Sequence, residues 1–174
     1  MNKLLHFKSL SDLKSVISSL EKMIVTQNQG RLLTRPTKEG KHPTIYPEQE
    51  KGRFRTVMGV RICDYKFSDD EHWVLPDDQW GLSFSATWID LQDVYLMFTR
   101  NRGKSSKPKK ADIYWVLQGS YLPKHMMFVQ DRAPGKEGHY FLTVTKKMKI
   151  STLVDNLKWI AGKMSVIKDG SIGL

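Results

Sequence analysis

Four side chains in this sequence have the types and settings needed to hold an anionic, planar ligand. Arg55, in the run Phe54-Arg55-Thr56-Val57, carries a guanidinium that can pair bidentately with a phosphate. Ser83 follows a glycine in Gly81-Leu82-Ser83-Phe84-Ser85. There the sequence predicts a turn whose backbone lets a ligand approach closely. His139 and Tyr140 are adjacent in a strand-like run, so one can face a cleft while the other packs. A guanidinium, a hydroxyl and an aromatic pair together suit a cleft that holds a nucleotide.

Other chemistries lack their residues. The sequence has no Gly-x-x-x-x-Gly-Lys-Ser/Thr loop, no Gly-x-Gly-x-x-Gly and no His-Glu-x-x-His, which sets aside the phosphate loops and zinc motifs built on them. Gly81 to Ser85 misses the Gly-x-Ser-x-Gly elbow at its last position. The five histidines (His6, His42, His72, His125 and His139) are scattered, so no metal site is expected. The one cysteine, Cys63, excludes a disulfide within the chain and reads as a buried free thiol. That usage fits a reducing compartment. No run of about 18 apolar residues is present, so no membrane span is expected. The opening residues Met1 to Lys8 are too short and interrupted for a secretory signal. The expected location is the cytoplasm, with any export left to a dedicated machine or a fused carrier.

The net charge is +10 and the isoelectric point is near 9.7. Such a balance favours polyanionic partners: nucleic acid, nucleotides, anionic lipid or an acidic protein. Arg100, Arg102, Lys104, Lys107, Lys109 and Lys110 follow one another without an intervening acid, and Lys146, Lys147 and Lys149 form a smaller cluster. Either cluster reads equally well as a solvated face.

The elements that position these groups follow from periodicity. Leu10, Leu13, Ile17, Leu20 and Ile24 predict an amphipathic helix over 9–26. Residues 27–52 hold Pro36, Pro43 and Pro47 and no sustained period, so they read as an irregular connection. The expected division is an N-terminal helix and extension over 1–52 and a core domain over 53–174. Strands are predicted over 53–63, 72–75, 112–117, 126–130 and 139–145. Helices are predicted over 88–99 and from a Ser151 or Thr152 cap to 163. The order is not a regular strand–helix alternation, so the fold class is α+β.

On these residues the chain resembles the short cytotoxic effectors of bacterial type VI secretion whose domain looks like an ADP-ribosyltransferase. Members show a Gly-x-Ser segment before a helix, then a strand, a Leu-Pro turn, another strand, a His-Tyr strand and a closing amphipathic helix. The matching residues are Gly81-Leu82-Ser83, Asp112 to Val116, Tyr121-Leu122-Pro123, Phe128-Val129-Gln130, His139 to Leu142 and Thr152 to Met164. Phe54 to Val57 resembles an aromatic-arginine segment early in the family. The resemblance covers about residues 53 to 164.

The resemblance implies a split two-sheet core with an NAD-shaped cleft. The chemistry it implies is cleavage of the nicotinamide–ribose bond. On that reading Arg55 pairs with the pyrophosphate, and Leu82, Ser83, His139 and Tyr140 line the nucleotide. Ser83 and Tyr140 would then be catalytic, with Glu137 the nearest carboxylate. The Glu-x-Glu of such transferases is absent from the late strand, and Glu48-Gln49-Glu50 lies in the connection instead. That leaves open whether the chain is an enzyme. The implied protein is a toxin delivered into the target-cell cytoplasm by a secretion-apparatus carrier, and held in check in its producer by an acidic immunity protein.

Two further readings stand beside it. The basic run and the interleaved Trp73, Trp80, Trp88, Tyr114, Trp115 and Tyr121 suit a nucleic-acid-acting module, either a metal-independent RNase toxin or an RNA- or DNA-binding domain. A non-enzymatic interaction protein on the same fold is the third.

Overall fold

A computed structural model describes residues 31–99 and 110–168, together with Ser15 and Ser18, which are helical. The rest of the helix expected over 9–26, the basic run up to Lys109 and the tail after 168 lie outside the described residues. The elements in chain order are β1 (Leu32–Lys38), β2 (Thr56–Val57), β3 (Val60–Arg61), β4 (Lys66–Phe67), β5 (Trp73–Leu75), β6 (Leu82–Ser85), α1 (Trp88–Thr99), β7 (Ala111–Leu117), β8 (Met126–Gln130), β9 (His139–Val144), β10 (Met148–Lys149), α2 (Ile150–Lys163) and β11 (Ser165–Lys168). The class is α+β, mostly sheet.

The division does not fall at residue 52. One unit gathers the described residues up to Lys41, Ser85–Ser120 and those from Met164 on; the other gathers His42–Phe84 and Tyr121–Lys163. The 27–52 connection is therefore split, and its first part is a strand.

In the first unit β7 pairs antiparallel with β1 from Leu32↔Leu117 to Lys38↔Ala111, and with β11 from Ser165↔Trp115 to Lys168↔Asp112. Strand alternation sends Leu32, Ile113, Trp115 and Ile167 to one face, where they pack with Leu91 and Tyr95 of α1. Spacing in the sequence sets Leu91, Val94, Tyr95 and Phe98 on one side of this helix; Leu91, Tyr95 and Phe98 pack here, joined by Trp88. Thr87 caps it, its hydroxyl accepting from the Asp90 N–H at 3.3 Å.

Proline hid β1. Gln118 N–H donates to the Arg31 carbonyl and Glu39 N–H to the Lys110 carbonyl, so the odd-numbered residues of β1 bond to β7. Pro36 is even-numbered, and its missing donor lies on the side away from β7. There β1 meets β6 at Thr34↔Ser85, beyond which Pro36 leaves no ladder bond unmade.

In the second unit β8 and β9 pair antiparallel from Met126↔Val144 to Gln130↔Tyr140, and β6 neighbours β9. The small sheet β10–β5–β4 and the β2–β3 hairpin complete the strands. The strand expected over 53–63 is this hairpin. Met58 and Gly59 have φ of 55° and 85°, the two left-handed centres of a tight turn matched to strand twist. Helix α2 buries Ile150, Leu153, Val154, Leu157 and Ile160. Its first residue follows β10 directly, and Ile150 N–H donates to the His72 carbonyl at 3.1 Å; the helix so begins just ahead of the expected Ser151 or Thr152 cap. Two side chains tie this core to the backbone: Tyr65 Oη donates to the Leu142 carbonyl at 2.7 Å and Thr44 Oγ1 to that of Leu157 at 2.9 Å.

Candidate functional site

The residues with the strongest chemical geometry stand at the open end of the β8–β9 ladder. Asp131 N–H donates to the His139 carbonyl at 2.8 Å, extending the pairing by one step past Gln130↔Tyr140. Asp131 Oδ2 in turn meets His139 Nδ1 at 2.8 Å. The two side chains are 13% and 17% exposed, so water screens the contact little. An aspartate at Nδ1 accepts a hydrogen bond when that nitrogen carries the ring proton, the tautomer that leaves the Nε2 lone pair open. Phe141 stands edge-on to the imidazole, with ring centres 4.7 Å apart, and limits its rotation.

The loop from Asp131 to His139 is held by polar contacts. Ala133 N–H donates to Asp131 Oδ1 at 2.8 Å. Gln130 Nε2 donates to the Glu137 carbonyl at 2.8 Å. Arg132 N–H donates to Gln79 Oε1 at 2.8 Å, and its guanidinium pairs with Asp78. Burial pushes the Asp131 carboxyl up, but the bonds from Ala133 and His139 outweigh it and hold it below the usual carboxylate value.

Ser83 is in strand β6, not in the expected turn. Gly81 is needed for close backbone approach instead: a Cβ there would lie 2.1 Å from the Leu142 carbonyl oxygen. Phe84 and Phe128 meet at 5.0 Å, and Phe128 is opposite Leu142. Those rings therefore share the face of Leu142 and Tyr140. Alternation puts exposed Ser83 on the other face, the one that His139 and Phe141 share.

The remaining expected residues are elsewhere. Tyr140 and Leu82 are buried in the core, because their face of the sheet is the apolar one; neither is open to a ligand. The Glu137 carboxylate is exposed in the loop. Arg55 makes a two-pronged pair with Glu71, which raises the arginine and lowers the glutamate. The guanidinium is thus engaged by a carboxylate rather than offered to a pyrophosphate. Ser83 and Tyr140 lie on opposite faces of the sheet; Ser83 and His139 share one.

Asp131 escaped the sequence reading. Its signal was an acid opening the turn before Ala133-Pro134-Gly135, one residue past a strand end. Cys63 is exposed in the turn after β3, not buried. Partial desolvation and then Asp64 push its thiol up, away from the reactive thiolate. An open cavity of about 480 Å³ is lined by Met58, Glu71, His72, Trp73 and Lys149 among others, and none of Ser83, Asp131 or His139 lines it. Among the described residues no group of three His, Cys, Asp or Glu is placed to hold a metal ion. Among them, too, no helix is long and apolar enough to cross a membrane.

No protein-family model, curated protein sequence or solved structure matches this chain.

Proposed function

We propose that the chain is a toxic effector whose core, similar to ADP-ribosyltransferases, binds NAD and acts on its nicotinamide–ribose bond inside target cells. The observation that carries this reading is the shared face of Ser83 and His139 on the neighbouring strands β6 and β9. These are two of the segments, distant in sequence, on which the family resemblance rests. A hydroxyl and an imidazole on one sheet face suit a ribose with its hydroxyl groups.

When bound, the nucleotide would supply a glycosidic bond that breaks with its electron pair leaving on the nicotinamide. Ser83 fits the role of holding the ribose. On this reading His139 Nε2 takes the proton of the attacking water or acceptor, and Asp131 stabilises the imidazolium so formed. Asp131 stands in for the missing Glu-x-Glu as the partly buried negative charge of the site. Tyr140 packs and Arg55 braces the loop at Glu71. The +10 charge makes an acidic immunity protein the fitting partner.

The test is nicotinamide release from NAD by the purified protein, read by mass spectrometry, with growth of bacteria expressing it. Ser83→Ala and His139→Ala are expected to abolish both while keeping the parent's circular dichroism. Parent-level toxicity in both folded variants, or no nicotinamide from the parent, overturns the proposal.

A further inference from the structure

Arg53, Phe54, Arg61 and Tyr46 form a column of alternating cations and rings in the second unit. The Arg53 guanidinium carbon lies 4.6 Å from the centre of the Phe54 ring. That of Arg61 lies 4.8 Å from the same ring and 3.5 Å from the centre of Tyr46. All three distances are within cation–π range.

The column stands on fixed backbone. Arg61 ends the β2–β3 hairpin, and Tyr46 N–H donates to the Gly59 carbonyl in its turn at 2.9 Å. Thr56 N–H donates to the Gln49 carbonyl at 2.8 Å, so the 46–49 segment is laced to the hairpin. Arg55, between the two stacked arginines in sequence, is already taken by Glu71. Neither Arg53 nor Arg61 has an acid within ion-pair distance among the described residues.

A guanidinium lying over a ring keeps the N–H edge of its own plane free. Two such edges stand at one aromatic ring here, on a chain with a net charge of +10. Their rotamers are already fixed by stacking, so little freedom is lost when an oxyanion arrives. Phe54 is 38% exposed, which leaves aromatic surface beside the forks.

We propose that this column docks the backbone of single-stranded nucleic acid. Phosphate oxygens match the two forks, and an unpaired base matches the exposed aromatic surface. Nucleic acid offers a phosphate and a base at every residue of one strand, whereas an acidic polypeptide brings a ring or apolar group only where its sequence carries one. Two forks beside the exposed part of Phe54 therefore favour nucleic acid. The site uses none of Ser83, Asp131 or His139 and stands independently of NAD binding.

Fluorescence anisotropy of labelled oligo-uridylate and oligo-deoxythymidylate, without NAD, tests it. The full chain is expected to bind with an affinity that falls steeply as salt rises. Arg53→Gln with Arg61→Gln is expected to weaken binding about tenfold or more and to flatten the salt slope by about 1.4, the value for two lost single-strand phosphate contacts. Lys124→Gln with Lys136→Gln removes the same charge from exposed positions in the same unit and is expected to bind within about twofold of the parent. If the double arginine variant unfolds, Phe54→Leu replaces it: affinity falls and the salt slope stays. The inference is overturned if the parent does not bind, if the arginine and lysine variants weaken equally, or if polyglutamate displaces the label as well as unlabelled oligonucleotide does.

Discussion

Asp131 and His139 are joined twice, by backbone and by side chain, each at 2.8 Å. The main-chain bond ends the β8–β9 ladder, and the side-chain bond orients the imidazole. The register of two strands thereby sets the orientation of one ring.

Asp131→Asn should separate those roles. The asparagine keeps an oxygen for Ala133 N–H but can present an N–H to Nδ1, which inverts the tautomer. Nicotinamide release should fall at least about tenfold, with the melting temperature little changed. A variant as active as the parent would remove the pair from the mechanism.

Arg55 and Glu71 should behave as one structural brace. Arg55→Ala and Glu71→Ala are expected to lower the melting temperature alike, and the double variant to be no worse than either single one. All three should keep NAD turnover within about twofold. Selective loss of turnover in Arg55→Ala would return the arginine to the nucleotide.

Gly59 allows residues 45 and 46 to pass close under the hairpin. Its φ is 85°, and an added Cβ would lie 2.4 Å from Ile45 Cγ2 and 3.1 Å from the Tyr46 carbonyl oxygen. Gly59→Ala should cost about 1–3 kcal/mol in urea unfolding. It should also weaken oligonucleotide binding, since Tyr46 is part of the cation–ring column.

His42 should give the fold a sensitivity to mild acid. Its Nδ1 accepts from the Thr44 and Ile45 N–H groups at 3.2 and 3.1 Å, which a protonated ring cannot do. Burial, and then the charge of Lys158, hold it below its ordinary value of 6.5. The unfolded chain therefore binds more protons between the two values, and stability rises with pH there. Melting temperature should be level above about pH 7 and fall as pH drops through 6.5. His42→Asn keeps an acceptor that does not titrate and should flatten that part of the profile; superimposable profiles would show that His42 is not the group responsible.

What the sequence made legible was local. The helix at 88–99 and the strands at 126–130 and 139–144 emerged with nearly correct ends, because apolar period and turn residues agreed there. Strand β1 did not, since Pro36 argues against a strand until its neighbours' hydrogen-bond directions are known. Polar Thr34, Arg35 and Thr37 blurred its period further. They are buried all the same, which no local pattern announces. Strands β10 and β11 are too short to leave a period. At the site, Ser83 and His139 were readable as residue types, while the Gly81 turn was misread because close packing on Leu142 and a tight turn both select glycine. Asp131 became visible only through the β8–β9 register.

Neither unit is a continuous stretch of chain. The first needs β11, at residues 165–168, to finish pairing with β7; the second runs from His42 to Lys163 with a long excursion between. A ribosome must release residues through 163 before the second unit can close, and through 168 before β7 gains its β11 neighbour. Partners so far apart along the chain make closure costly in loop entropy, so nascent segments expose unpaired strand edges until late in synthesis.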